Sequence, residues 1–156
     1  MNRDQSAIVD DMVVNGWHIL KQGGNVVMAL GGKVAVIRPD RSMEIVRDGG
    51  MATHFCYVQA YKGRGWLDLA VSTATAAAKS SLTSKQFGAI LHAIGGGEGR
   101  YARPGYRNYY VAGEGDAPCL ESLVESGHMH STGPHVYHAT PKGAAEVGCA
   151  GCLEQK

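Results

Sequence analysis

WHILKQGGNVVMALGGKVAVIRPDRSMEIVR, residues 17–47, decides half of the fold. Trp17–Lys21, Val26–Leu30, Val34–Arg38 and Met43–Arg47 are short runs rich in β-branched and aliphatic side chains. Between them stand Gly23-Gly24-Asn25, Gly31-Gly32-Lys33 and Pro39-Asp40-Arg41, all residues that favour tight reversals. Strands this short, separated by turns this tight, pair with their neighbours in sequence, which predicts an antiparallel meander. His54–Tyr61 reads as a fifth strand after the Asp48-Gly49-Gly50 turn. Gly31-Gly32-Lys33-Val34 is a hairpin turn rather than a phosphate loop, because Val follows the lysine and the spacing to an earlier glycine is wrong.

Around the meander the pattern turns helical. Ile8, Met12 and Val13 form a stripe that stops at Asn15-Gly16. Trp66–Ser81 is Ala-rich, with Leu67, Ala70, Val71 and Ala74 at helical spacing, and predicts a connecting helix. Thr83 or Ser84 caps a further helix, Lys85 to Ile94, whose inner face is Phe87, Ile90, Leu91 and Ile94. Tyr109–Ala112 reads as a short extended piece. Asp116 is a candidate cap for a helix that carries Leu120, Leu123 and Val124 inward and ends at Gly127. The expected class is α+β, with residues 1–81 as meander and connecting helix, 82–148 as a helical unit with a hairpin, and 149–156 as a tail. Trp17 and Trp66 are expected to anchor the first unit, and Cys56 and Cys119 to be core thiols.

The segment LESLVESGHMHSTGPHVYHATPKGAAEV, residues 120–147, resembles the back half of MarR/PadR-type winged-helix domains. There a helix ends in leucine–x–x–leucine–valine–x–x–glycine–leucine, a two-stranded wing follows, and threonine–proline–lysine–glycine opens the next helix. Leu120, Leu123, Val124, Gly127, Tyr137, Thr140, Pro141, Lys142 and Gly143 stand in that order. Leu82 to Gly148 is also similar to small uncharacterised bacteriophage proteins with a tyrosine–arginine–asparagine–aromatic…glycine stretch, here Tyr106 to Gly113. The resemblance implies a winged-helix fold and a phage accessory role. It carries no catalytic signature, and it departs from a DNA reader at one point: residues 116–127 hold Asp116, Glu121 and Glu125 and no basic side chain.

Charge narrows the partners. The net charge of +1 supplies no global field to draw in nucleic acid. Residues 51–97 carry four basic side chains and one acidic, whereas 98–156 carry five basic and seven acidic, so the end of the chain is the acidic part. No apolar run approaches the roughly 20 residues of a membrane helix, and the acidic start is unlike a secretory signal. A cytoplasmic protein with no membrane partner is expected.

GGGEGRYARPGYRNYY, residues 95–110, is the strongest surface candidate. Arg100, Arg103 and Arg107 interleave with Tyr101, Tyr106, Tyr109 and Tyr110 on a glycine-rich frame. Arginine pairs with phosphate while tyrosine stacks on bases, and the same two residue types dominate protein–protein hot spots. A packed loop with solvated arginines is the third reading. Arg100, Tyr101, Arg103, Tyr106, Arg107 and Tyr109, with Glu121 and Glu125 of the acidic helix, are the expected binding residues. A host protein or complex is the favoured partner, in the manner of host-takeover or anti-defence proteins such as anti-CRISPR inhibitors.

Two alternatives stay open. A winged-helix DNA-binding regulator would contact phosphate through Arg100, Arg103, Arg107 and Lys142. A two-histidine phosphodiesterase would use His130-Ser131-Thr132 and His138-Ala139-Thr140, since a hairpin centred on Pro134 sets His130 across from His138. His128, His130, His135 and His138 lie near Cys149-x-x-Cys152, which invites zinc. A structural zinc site needs two rigid close pairs, however, and this C-x-x-C reads as a redox-vulnerable thiol pair in a fraying tail. No metal, cofactor or catalytic residue is expected.

Overall fold

The structure, a computed structural model, describes residues 1–47, 51–56, 66–96 and 104–154. It is an α+β fold with two antiparallel sheets. The element order is α1 (Arg3–Val14), β1 (His18–Lys21), β2 (Val26–Leu30), β3 (Lys33–Ile37), β4 (Ser42–Arg47), β5 (Met51–Cys56), α2 (Trp66–Lys79) and α3 (Ser84–Ala93). Then come β6 (Tyr110–Val111), α4 (Ala117–Glu125), β7 (Met129–Gly133), β8 (Val136–Ala139), α5 (Pro141–Glu146) and a 3₁₀ turn at Cys152–Glu154.

The first sheet runs β1-β2-β3-β4-β5, each strand beside its sequence neighbour. Alternation sets its register. Val26 pairs with Ile37 and Ile37 with Met43; Met28 pairs with Ala35 and Ala35 with Ile45. All six are fully buried, so two rows of apolar side chains cross one face of the sheet, and a slip of one residue would turn both rows into solvent. Gly31 and Gly32, with φ of +54° and +80°, form the turn that joins Leu30 to Lys33. Positive φ at both central residues is the hairpin turn that matches strand twist. The meander reading of residues 17–47 therefore holds. Residues 57–61 of the expected fifth strand, and the side chains of Cys56 and Trp66, lie outside the described residues. At the free edge, β1 is exposed along its length and its register shifts between Ile19 and Lys21, an irregularity of the kind that blunts edge pairing.

Helix α1 buries Ile8, Val9 and Met12 beside Trp17. Val13, expected in the stripe, is instead 48% exposed, because a 3.6-residue period places Val9 rather than Val13 beside Ile8 and Met12. The helix opens with a reciprocal cap between Asn2 and Gln5. Buried Gln5 also donates from Nε2 to the carbonyls of Gly24 (2.8 Å) and Ile37 (3.2 Å), tying the helix start to the sheet. Arg47, at the end of β4, is 3% exposed. Its Nη2 donates to the main-chain oxygens of Ser80 and Leu82, just beyond the end of α2. Its guanidinium lies 5.6 Å from the Phe87 ring, while Nε and Nη1 have no hydrogen-bond partner among the described residues.

The second sheet is ordered β6-β8-β7 and is flanked by helices. Thr83, not Ser84, caps α3 in a reciprocal pair with Gln86. Phe87, Ile90, Leu91 and Ile94 are fully buried, as their spacing predicts. One continuous apolar core joins both sheets, running from Ile8 and Met28 through Phe87 to Leu123 and Cys152. After α4, Gly127 (φ +80°) reverses the chain into β7. Thr140 caps α5 by accepting from the Gly143 amide, and its hydroxyl donates to the Gly127 carbonyl at 2.6 Å. A β-carbon at Gly143 would lie 2.1 Å from the His128 carbonyl oxygen. Only glycine lets α5 approach the start of β7 this closely. No helix among the described residues is long and apolar enough to cross a membrane.

Candidate functional site

The second half of the Arg/Tyr stretch crosses the C-terminal end of α3. The Gly105 amide donates to Ile94 O (2.7 Å) and the Tyr109 amide to Ala93 O (3.0 Å), so 105–109 is pinned at both ends. Between these pins Tyr106 and Tyr109 stay 56% and 48% exposed. Arg107 does not reach freely into solvent. Its guanidinium lies 5.5 Å from the Tyr106 ring and 5.2 Å from the Tyr109 ring, and Nη2 donates to His92 O at 2.7 Å. The cation is spread over two aromatic faces. Arg100, Tyr101 and Arg103 lie outside the described residues.

Asn108 holds the segment to the second sheet. Its Oδ1 accepts from the Ala139 amide (2.8 Å) and its Nδ2 donates to the Ala139 carbonyl (2.9 Å). One side-chain amide thus imitates a strand partner for β8.

Helix α4 packs against α3 and β7, with Glu121 and Glu125 exposed and Leu120 and Leu123 buried. Val124, expected inward, is 37% exposed. Asp116 occupies the cap position of α4 without bonding the helix. Pro118 removes one of the two amides a cap would serve. The carboxylate turns back instead, accepting from the Gly113 amide (2.8 Å) and the Tyr110 hydroxyl (3.2 Å).

Between α3, β6 and α4 lies a cleft of about 250 Å³. Lys85, Gly88 and His92 line it from α3, Tyr110 from β6, and Asp116 and Cys119 from α4. His92 meets Tyr110 edge-on, with ring centroids 5.0 Å apart. Partial desolvation, then the charge of Arg107, lowers the His92 imidazole. Burial raises the Tyr110 hydroxyl, and Asp116 adds to the effect. Burial also raises the Cys119 thiol, against the pull of Lys85. Each group is pushed towards its neutral form, and a thiol held protonated is the opposite of an activated nucleophile. Cys119 is therefore half-buried on a cleft wall rather than sealed in the core. The cleft does not emerge from sequence, although i, i+3 and i+7 spacing on α3 would have placed Lys85, Gly88 and His92 on one face, opposite Phe87 and Leu91.

The remaining candidates separate. His130 and His138 pair across β7 and β8 as the hairpin reading requires, with ring centroids 5.1 Å apart. Both nitrogens of His138 are engaged: Nδ1 is 2.5 Å from Asn108 O and Nε2 is 2.7 Å from Thr132 Oγ1. Since a carbonyl only accepts, Nδ1 carries the proton and Nε2 accepts from the threonine while the ring is neutral. Thr140, the last residue of the second H-x-T, is spent on the α5 cap. His128 is buried, with Nδ1 2.7 Å from Ser126 Oγ. Lys142 Nζ donates to Ser126 O at 2.6 Å. Among the described residues no three His, Cys, Asp or Glu side chains gather where a metal could be held.

Cys149 and Cys152 correct the reading of a fraying tail: Cys149 is fully buried and Cys152 is 8% exposed. Gly148 allows it. A β-carbon there would lie 2.4 Å from Ser72 O, and Ser72 Oγ donates to Gly148 O at 2.7 Å, so the chain end docks on α2. Comparison with protein-family models, with curated proteins and with solved structures gives no match to this chain.

Proposed function

We propose that the chain is a non-enzymatic, phage-type accessory protein that binds and modulates a host protein or complex, using a winged-helix-like C-terminal unit as its scaffold. The observation that carries this reading is Arg107, held against two half-exposed tyrosines, in a unit whose α4 surface carries only acidic charges. Tyrosine and arginine held rigid before contact lose little conformational freedom on binding, which favours them as interface anchors. Val111 and Val124, 64% and 37% exposed, add apolar area on β6 and α4. Glu121 and Glu125 would repel a phosphate backbone and attract a basic protein surface. Host takeover or anti-defence inhibition in the cytoplasm fits such a surface.

The test is affinity capture from a bacterial lysate with the native chain, Tyr106→Ala/Tyr109→Ala and Glu121→Lys/Glu125→Lys. One protein retained by the native chain and lost by both variants, with each variant's circular dichroism unchanged, is the expected result. Duplex DNA binding that weakens steeply with salt and disappears in Arg103→Ala/Arg107→Ala would overturn it in favour of a regulator.

A further inference from the structure

Cys149-Ala150-Gly151-Cys152 is a closed turn. The Cys152 amide donates to Cys149 O at 3.0 Å, and Gly151 supplies the positive φ, +82°, that such a turn demands at its third residue. The α-carbons at the ends of a hydrogen-bonded turn lie within about 7 Å, inside the span a disulfide bridges. The two thiols also influence each other, Cys149 being pushed up and Cys152 down by their mutual proximity, while the Cys149 thiol donates to Val147 O at 3.7 Å. Both cysteines are free thiols. Although both lie at the margin of the apolar core, Thr73 Oγ1 is 3.8 Å from Cys149 Sγ, and Cys152 keeps a small exposed area at the last described turn.

We propose that Cys149 and Cys152 form a reversible dithiol site that takes low-molecular-weight disulfides of the glutathione class and closes to an internal disulfide. The Cys152 thiolate attacks one sulfur of the small disulfide, whose S–S bond breaks and releases one thiolate. Cys149 then loses its proton, and its sulfur attacks Cys152 Sγ, expelling the second thiolate. Two protein thiols are oxidised, one small disulfide is reduced to two thiols, and the two protons pass to the leaving groups. The neighbouring Cys149 thiol lowers the Cys152 thiol from its ordinary range, against the opposing effect of burial, which suits Cys152 as the attacking sulfur.

The site also lies under the Arg/Tyr segment. A β-carbon at Gly105 would be 2.6 Å from the Cys152 carbonyl oxygen, so the Cys152 main chain is the floor from which 105–109 starts. Closing the disulfide stiffens that floor.

The experiment incubates the folded full chain with oxidised glutathione, blocks the remaining thiols with N-ethylmaleimide and counts alkylated cysteines by mass spectrometry. Of the four cysteines, Cys56 and Cys119 are expected to be alkylated, while Cys149 and Cys152 appear as one cross-linked peptide. Cys149→Ser and Cys149→Ala should each trap glutathione on Cys152, and Cys152→Ser should trap none at Cys149. Slower hydrogen exchange at the Gly105 and Tyr109 amides is expected in the oxidised native chain. Alkylation of all four cysteines, or cross-linking only in denaturant, would overturn the site, and that native-chain result decides even where a variant fails to fold. Unchanged exchange at those amides would overturn the coupling to the surface segment.

Discussion

The C-terminal unit uses glycine in a way that the described glycines of the meander do not, for close approach of main chain to main chain. In the meander, Gly24, Gly31 and Gly32 have open space where a β-carbon would stand. Gly31 and Gly32 are there for the handedness of the turn. In the C-terminal unit, Gly105, Gly143 and Gly148 each have a main-chain oxygen within 2.6 Å of that point. Gly143 is there for close approach alone, while Gly105 and Gly148 combine it with φ of +93° and +75°. The meander is built by ladders between sequence neighbours. The C-terminal unit is closed by contacts between segments distant in sequence, through single atoms and single side chains. It should be the brittle half.

Gly143→Ala tests this most severely. The His128 carbonyl belongs to the backbone and cannot swing aside, so α5 must move off β7. A loss of about 3 kcal/mol or more is expected in a urea melt, and native-like stability would refute the brittleness. Asn108→Ala comes next. It strands the amide and carbonyl of Ala139 at once, and about 2 kcal/mol is the expected cost.

Acid should also single out the C-terminal unit. Burial, then Lys142, depresses the His128 imidazole below its ordinary value of 6.5, against the opposing charge of Glu146. The unfolded chain then binds the proton more readily than the folded one. The His128 contribution is full above pH 6.5 and is lost as pH falls below that value towards the depressed folded one. Melting temperatures of the native chain and His128→Gln should converge on acidification; parallel curves would exclude the effect. At the small end, Gly24→Ala in the meander should change stability by no more than about 0.5 kcal/mol in the same melts.

The meander was legible because each strand needs only its own alternation and the turn beside it. The Thr140 cap and the His130–His138 pairing were legible for the same reason, being set by residues within one hairpin. What sequence concealed depends on distant contacts. Cys149 looks terminal until Gly148 meets Ser72, across 76 positions. The cleft needs α3, β6 and α4 together, and no local pattern reports that convergence. Of the expected binding residues, Tyr106, Tyr109, Glu121 and Glu125 are exposed, while Arg107 is partly buried beneath its aromatic neighbours.

Arg47 gives the junction between the two halves an unusual response to heat. Most of the molecule's cohesion is apolar, and the benefit of burying apolar surface levels off on warming. The penalty for keeping an ion away from water shrinks over the same range, because hydration of charge is entropically unfavourable. The guanidinium between the sheet and the α2–α3 corner therefore costs the fold less as temperature rises.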